Sequence, residues 1–195
     1  MNGGARAAIL VAGMGVAMAV ACGGVGDLII VGPDGGDPQS SGASSSGSGP
    51  DPAFQGAPAC QGGAFFQGDA TIGGTMFPGE ACLACHAAQG GPLFTMGGTV
   101  FSTGKVLDDC LPPMDLDLTV AQVVIHDANG DHPLPVLADG NFRSHAADNV
   151  TVPFTARVVY MGRERAMLGA QTSGDCNACH TAGGASGAPG RIALP

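Results

Sequence analysis

The chain has little of what most functional classes require. Its 195 residues include no Trp, one Tyr and eight Phe, so few aromatic rings are available to build a core. Only seven Lys and Arg stand against sixteen Asp and Glu, a formal net charge of −9. That shortage of cations cannot neutralise a phosphate backbone and excludes nucleic-acid binding. Only one long apolar run exists and it lies at the N-terminus, which excludes a bundle of membrane-spanning helices. The hydrolase elbow G-x-S-x-G and the zinc-protease motif H-E-x-x-H are both missing. Long helices are disfavoured too, because 34 Gly and 14 Pro make up about a quarter of the chain and both are poor inside helices. Against these shortages stand seven cysteines, which need a chemical explanation.

The N-terminus reads as an export signal over residues 1–21. Arg6 precedes fifteen uncharged residues, Ala7 to Ala21, too short a run to span a membrane and the right length for a signal core. The run ends in Ala19-Val20-Ala21-Cys22-Gly23, which resembles a bacterial lipobox, with Ala where Leu is usual. That resemblance implies cleavage before Cys22 and lipidation of its thiol. The alternative is an ordinary cleavable signal with Ala19 and Ala21 as its small residues. Gly32 to Pro58 follows. Eighteen of its 27 residues are Gly, Pro or Ser and none is Ile, Leu, Val or Met. Such a segment buries too little apolar surface to offset its ordering entropy, so residues 22–58 are expected to be a lipid-anchor Cys and a disordered tether. Without the signal six basic residues face sixteen acidic ones, a mature charge of about −10.

Two segments carry one pattern. Cys82-Leu83-Ala84-Cys85-His86 and Cys176-Asn177-Ala178-Cys179-His180 are both C-x-x-C-H, the c-type haem attachment signature. The spacing has a chemical reason. Two thiols one helical turn apart can bond the two vinyl groups on one porphyrin edge, and the next residue, His, can ligate the iron. Two C-x-x-C pairs would also suit one structural zinc or disulfides, but neither needs His directly after the second Cys in both copies. On these motifs and the export signal the chain resembles an exported dihaem c-type cytochrome. The resemblance implies two covalent haems c, held by Cys82, Cys85, Cys176 and Cys179, with His86 and His180 as proximal iron ligands. With Cys22 lipidated, Cys60 and Cys110 remain and are expected to pair, closing a loop of about 50 residues typically worth 2–4 kcal/mol. Met76 and Met167, each a few residues before a motif, are the first candidates for the distal ligands. His126, His132 and His145 are the further imidazoles.

Between the motifs the sequence turns β-rich. Gly98 to Thr103, Thr119 to His126, Leu134 to Leu137, Asn141 to Arg143 and Val152 to Met161 read as strands. Ala121, Val123 and Ile125 share one face of their strand; Phe154, Ala156, Val158 and Tyr160 share one face of theirs. Asn129-Gly130 and Asp139-Gly140 mark turns. Asp127, Asn129 and Asp131 depart from a calcium loop, which wants Gly where His132 stands and Glu where Ala138 stands. The series GTVF, VVIHDANG, LADGNF and FTARVVY resembles the transthyretin-like or carboxypeptidase-regulatory-like sandwich. The fold expected is therefore mainly β. A small Ig- or transthyretin-like sandwich over residues 93–168 would be flanked by short haem-binding segments, 59–92 and 169–195, with little helix. Arg143, Arg157, Arg163 and Arg165 would then pair with haem propionates or lie on a solvated sheet face.

These readings imply electron transfer by a membrane-tethered carrier in a bacterial cell envelope, not an enzyme, with basic redox proteins as partners. Two alternatives stand beside it: a haem enzyme or gas or redox sensor with an open iron site, and a non-haem binding module held by zinc or disulfides.

Overall fold

The structure is a computed structural model that describes residues 30–31, 50–62, 65–66, 76–113 and 115–195. The expected signal, Cys22 and most of the expected tether lie outside the described residues. Among the described residues no helix is long and apolar enough to cross a membrane.

The chain is mainly β and forms a small sandwich. β1 (Ile30–Val31), β2 (Met96–Phe101), β3 (Gln122–Asp127), β4 (Gly130–Pro135), β5 (Asn141–Ser144), β6 (Thr155–Tyr160), β7 (Arg163–Ala166) and β8 (Ile192–Ala193) are its strands. One sheet runs β1-β7-β6-β3-β4 and the other β5-β2-β8. Two short helices, α1 (Cys82–Gln89) and α2 (Cys176–Cys179), coincide with the two cysteine motifs. The core between the sheets is one apolar cluster. Val123, Ile125, Leu134 and Val158 come from the larger sheet and Met96, Val100 and Phe142 from the smaller, with Leu118, Val150, Phe154 and Leu194 closing it.

The β-branched run of β3 buries Val123, Val124 and Ile125, and Ala121 just before it is fully buried. In β6, Val158 is buried and Ala156 and Tyr160 pack on the same cluster as Phe154, as their alternation predicts. The β3–β4 hairpin pairs Asp127 with Gly130, so Ala128 and Asn129 form a two-residue turn, and Gly130 takes a φ of +113°. This tight turn starts the return strand at Gly130 and ends it at Pro135, earlier than the expected Leu134 to Leu137. Pro133 and Pro135 are tolerated because β4 is an edge strand. The first expected strand also shifts, to Met96–Phe101, because Met96 and Gly97 already pair with Ser144 and Arg143 of β5.

The Asp127 carboxylate is committed to this hairpin. Oδ1 accepts from Asn129 N–H at 2.7 Å and sits 2.9 Å from His132 Nε2. Oδ2 accepts from the Thr151 amide and hydroxyl at 2.5 and 2.8 Å. These donors satisfy both oxygens. Burial alone would raise the pKa of Asp127; the Thr151, His132 and Asn129 donors outweigh it and hold the carboxyl well below the carboxylate range. Arg157 and His126 likewise bring Asp131 down to about 2. The folded values lie below the unfolded ones, so this stabilisation is present above pH of about 4 and is lost as pH falls toward 2. The hairpin is therefore expected to loosen in that window, whereas Asp127→Asn, which cannot titrate, should be looser already at neutral pH and lose less on acidification. Amide exchange of β4 as a function of pH checks this; identical acid profiles in both proteins would contradict it.

The tether ends sooner than its composition suggests. Residues 51–58 were expected in the flexible segment, yet Pro52–Phe54 forms a turn of 3-10 helix against the body. Asp51 forms an ion pair with Arg165, and the Phe54 ring lies where side chains on Gly104 and Gly190 would stand. The Ala59 amide donates to Lys105 O at 3.1 Å. One carboxylate and one ring anchor a stretch that otherwise has nothing to bury. The expected Cys60–Cys110 disulfide forms, with a Cα–Cα distance of 5.4 Å, and packs with buried Phe101 and Val106 in a second small cluster.

Candidate functional site

Each motif makes a short helix with its two cysteines three residues apart, hence on one face. In α1 a glycine ends the helix, Gly90 at a φ of +72°. α2 is a single turn, closed by the His180 amide donating to Cys176 O at 2.9 Å. The two histidines behave alike. His86 Nδ1 lies 2.7 Å from Pro92 O, and His180 Nδ1 lies 2.9 Å from Gly190 O. A carbonyl only accepts, so Nδ1 carries the proton and Nε2 keeps its lone pair free. Such second-sphere bonds orient metal-ligating imidazoles. Gly91 permits the first of them, because a side chain there would stand 2.7 Å from His86 Nδ1.

A hidden repeat accounts for the likeness. After each histidine comes a Gly- and Pro-containing loop and then a strand, β2 after the first motif and β8 after the second. The two strands lie side by side in parallel, with Val100 opposite Ile192 and Phe101 opposite Ala193. Sequence reasoning missed this unit. Its signal was present in Gly90-Gly91-Pro92, followed by Leu93 and Phe94, and in Pro189-Gly190, followed after Arg191 by Ile192 and Ala193.

The two motifs meet across β2. A side chain on Gly97 would stand 3.3 Å from Cys82 Cβ, and one on Gly98 would stand 2.9 Å from Cys176 Cβ. A buried polar lattice joins them. Asn177 Nδ2 donates to Glu80 O at 2.8 Å and to Thr99 Oγ1 at 3.0 Å, and lies 3.6 Å from Cys82 Sγ. The Thr99 amide donates back to Asn177 Oδ1 at 3.0 Å. Thr99 Oγ1 also donates to Asn141 Oδ1 at 2.6 Å and accepts from the Gly79 amide at 2.9 Å. Asp175 Oδ2 accepts from the Ala84 amide at 3.0 Å, and its Oδ1 is buried without a partner. Burial, and after it the Asp175 charge, pushes the Cys82 thiol up to about 12. Burial and the neighbouring Cys82 push Cys176 up to about 12 as well. Both sulfurs are thus neutral thiols at neutral pH.

Beside the second motif lies an open-mouthed cavity with a volume of about 130 Å³. Cys176, Cys179 and His180 line it together with Phe142, Phe154 and Met167. Burial pushes the His180 pKa below its ordinary value, the Gly190 carbonyl pulling the other way, so the ring is neutral as a ligand must be. The first motif is more open, and α1 has no buried residue. Phe94 flanks its histidine, with the ring centre 4.9 Å from that of His86 and 5.8 Å from that of His145. The Arg143 guanidinium lies 5.4 Å over Phe94, and its buried Nε has no partner.

The imidazoles at both motifs could ligate a haem iron, and a mainly apolar cavity adjoins the second. Met167 lies on the wall of the cavity that His180 lines. Met76 is half-buried, and its carbonyl accepts from Asn141 Nδ2 at 3.0 Å. Arg157 and Arg165 line the cavity but already have acidic partners, Asp131 with Glu164 and Asp51 respectively. Arg163 lies exposed on β7. Cys82, Cys85 and Cys176 are free thiols. Cys179 is disulfide-bonded, which corrects the expectation that Cys60 and Cys110 alone are paired. Motif spacing does not reveal which thiol another cysteine can reach, and a thioether at Cys179 requires that disulfide to be reduced first. Among the described residues no group of three or more His, Cys, Asp or Glu is placed to hold a metal ion. Comparison with family models, with curated proteins and with solved structures finds no match.

Proposed function

We propose that the chain is a dihaem c-type electron carrier of the bacterial cell envelope, exported and tethered through a lipid on Cys22. The observation that carries this reading is the pair of motif histidines, each donating Nδ1–H to a downstream backbone carbonyl and keeping Nε2 free. Two such imidazoles, each following a C-x-x-C pair, are what two covalent haems need and what a disulfide module does not. When bound, each haem supplies a one-electron couple. The chain's own residues anchor the porphyrin edge (Cys82 with Cys85, Cys176 with Cys179), orient the imidazoles and exclude water. At the second motif Phe142, Phe154 and the rest of the cavity wall do the excluding. Met167 is the distal ligand proposed there. Met76 is the counterpart proposed for the first.

Protein matured with haem-attachment machinery should give two haems per chain in a pyridine haemochrome assay. Replacing both cysteines of either motif by Ala should leave one. A colourless product from the intact chain would end this reading. In the oxidised loaded protein, Met ligation should give a weak far-red absorbance band that Met167→Ala diminishes; an unchanged band removes Met167 from the iron. The acidic mature chain should dock basic redox partners, at rates that fall as salt rises.

A further inference from the structure

We infer that the tether is clasped back onto the body at Arg165, so that only the residues from Cys22 to Ile30 separate the sandwich from its membrane anchor. The membrane consequence rests on the lipid proposed for Cys22; the clasp itself stands on described residues alone. Arg165 lies in β7 and meets both ends of the Gly- and Ser-rich stretch. Ile30 is its antiparallel partner in the sheet, and Val31 pairs with Glu164 beside it. Asp51, at the far end of the stretch, forms an ion pair with its guanidinium. Residues 32–50 thus begin and end at one residue of the body, and their length adds nothing to the reach of the tether.

Two features make Arg165 a built seat. Its side chain is 7 % exposed, and a guanidinium buried so far is costly unless it is paired. Its Nε donates to Leu194 O at 3.0 Å, and the carboxylate that answers its charge comes from the tether. The same guanidinium lies 5.4 Å from the centre of the Phe54 ring. That ring fills the space beside Gly104 and Gly190, and the Gly104 amide donates to Ala53 O at 2.8 Å. The second feature is the sheet edge. A bare edge strand offers unpaired backbone groups to other chains. Pro133 and Pro135 blunt the β4 edge, whereas β7 has no proline and is covered instead by the chain's own β1. Leu28-Ile29-Ile30-Val31 is the β-prone run available for this, since residues 32–50 hold no Val, Ile, Leu, Met or aromatic residue.

The clasp sets how far the body stands from the membrane. As a flexible coil the segment from Cys22 to Ile30 spans about 16 Å, whereas with β1 released the segment from Cys22 to Asp51 spans about 30 Å. The test uses the full-length lipidated chain. Amide exchange in detergent micelles reads the clasp, and neutron reflectometry on a supported phosphatidylethanolamine–phosphatidylglycerol bilayer reads the gap between protein layer and membrane. The expected result is slowed exchange at Ile30–Val31 and at the β7 amide that faces them. Ile30→Pro/Val31→Pro removes both backbone donors of β1 and should free that β7 amide and widen the gap about twofold. Deleting residues 36–45 should leave the gap unchanged, because that stretch is bypassed. Unprotected amides at Ile30 and Val31 in the native chain, a gap that the proline pair does not alter, or a gap that shrinks on the deletion would each overturn the inference. A chain that the bilayer does not retain would overturn the lipid anchor, while exchange in micelles still decides the clasp. Should the proline variant fail to fold, native exchange and the deletion decide the matter alone.

Discussion

Replacing Arg191 with methionine should cost about 3 kcal/mol or more of folding stability, because each buried acceptor left without its donor costs about 1–3 kcal/mol. Arg191 is the largest fully buried side chain of the described residues. Its Nε donates to Val106 O at 3.0 Å, and its Nη1 donates to Gly79 O at 2.8 Å and His180 O at 3.0 Å. Nη2 pairs with Asp108, a partly exposed carboxylate. The guanidinium also lies 5.4 Å over the Phe101 ring. Methionine would fill much of the volume and leave three carbonyls buried without donors. Lysine would keep the charge but cannot present donors in a planar fork, so Arg191→Lys should lose most of the same stability. The position of Gly79 fits this account: at a φ of +87° its missing side chain would stand 3.0 Å from the guanidinium. Urea unfolding midpoints of the two variants check the prediction; losses below about 1 kcal/mol in both, the ordinary worth of a single hydrogen bond, would refute it.

That network lies against both motifs. Gly79 leads into Cys82 and His180 closes the second motif, so one arginine ties the approach of the first to the exit of the second. In a small chain with few aromatics, these bonds do what a larger apolar core would otherwise do. The same arginine is available to the sequence reader only as one of seven basic residues. Its partners are 85, 112 and 11 positions away, and no local pattern announces them.

This contrast explains which parts of the molecule were legible. The faces Ala121-Val123-Ile125 and Phe154-Ala156-Val158-Tyr160 are period-two patterns, local and self-reporting, and they lie where expected. Asn129-Gly130 marks its hairpin one residue late: the turn is Ala128-Asn129, and Gly130 supplies the positive φ that few other residue types accept. The cysteine motifs are legible because their chemistry demands a spacing. The β2–β8 pairing is not, because β8 has two residues and joins a strand more than 90 positions earlier. Asn177 was not legible because a variable position in a motif reads as spacer. The docking of residues 51–58 was hidden by their composition, since a Gly- and Pro-rich segment looks disordered unless a single carboxylate and ring find their seats. The Cys179 disulfide was hidden by the motif itself, which assigns that sulfur to haem.

Gly174→Ala is the complementary test, because it adds one carbon where Arg191→Met removes a charge. Gly174 precedes Asp175, and its carbonyl accepts from the Gly97 amide at 2.9 Å. A β-carbon there would overlap the Thr95 carbonyl oxygen and stand 3.0 Å from Met96 Cα. Those atoms are backbone at the start of β2, so no rotamer change relieves the clash. Relief requires the second motif to lift from the strand, which breaks the Gly97 bond and pulls Asp175 and Asn177 from their partners on the first. The expected loss is at the upper end of the about 1–3 kcal/mol usual for overpacking, because the crowded atoms belong to the chain itself. The unfolding midpoint reads that loss. Solvent exchange of the Ala84 and Gly97 amides reads its location, since both should exchange faster in Gly174→Ala than in Arg163→Ala, a change on the exposed face of β7. Wild-type midpoint and wild-type protection of those two amides would mean that the motifs are not clamped against β2 by this contact.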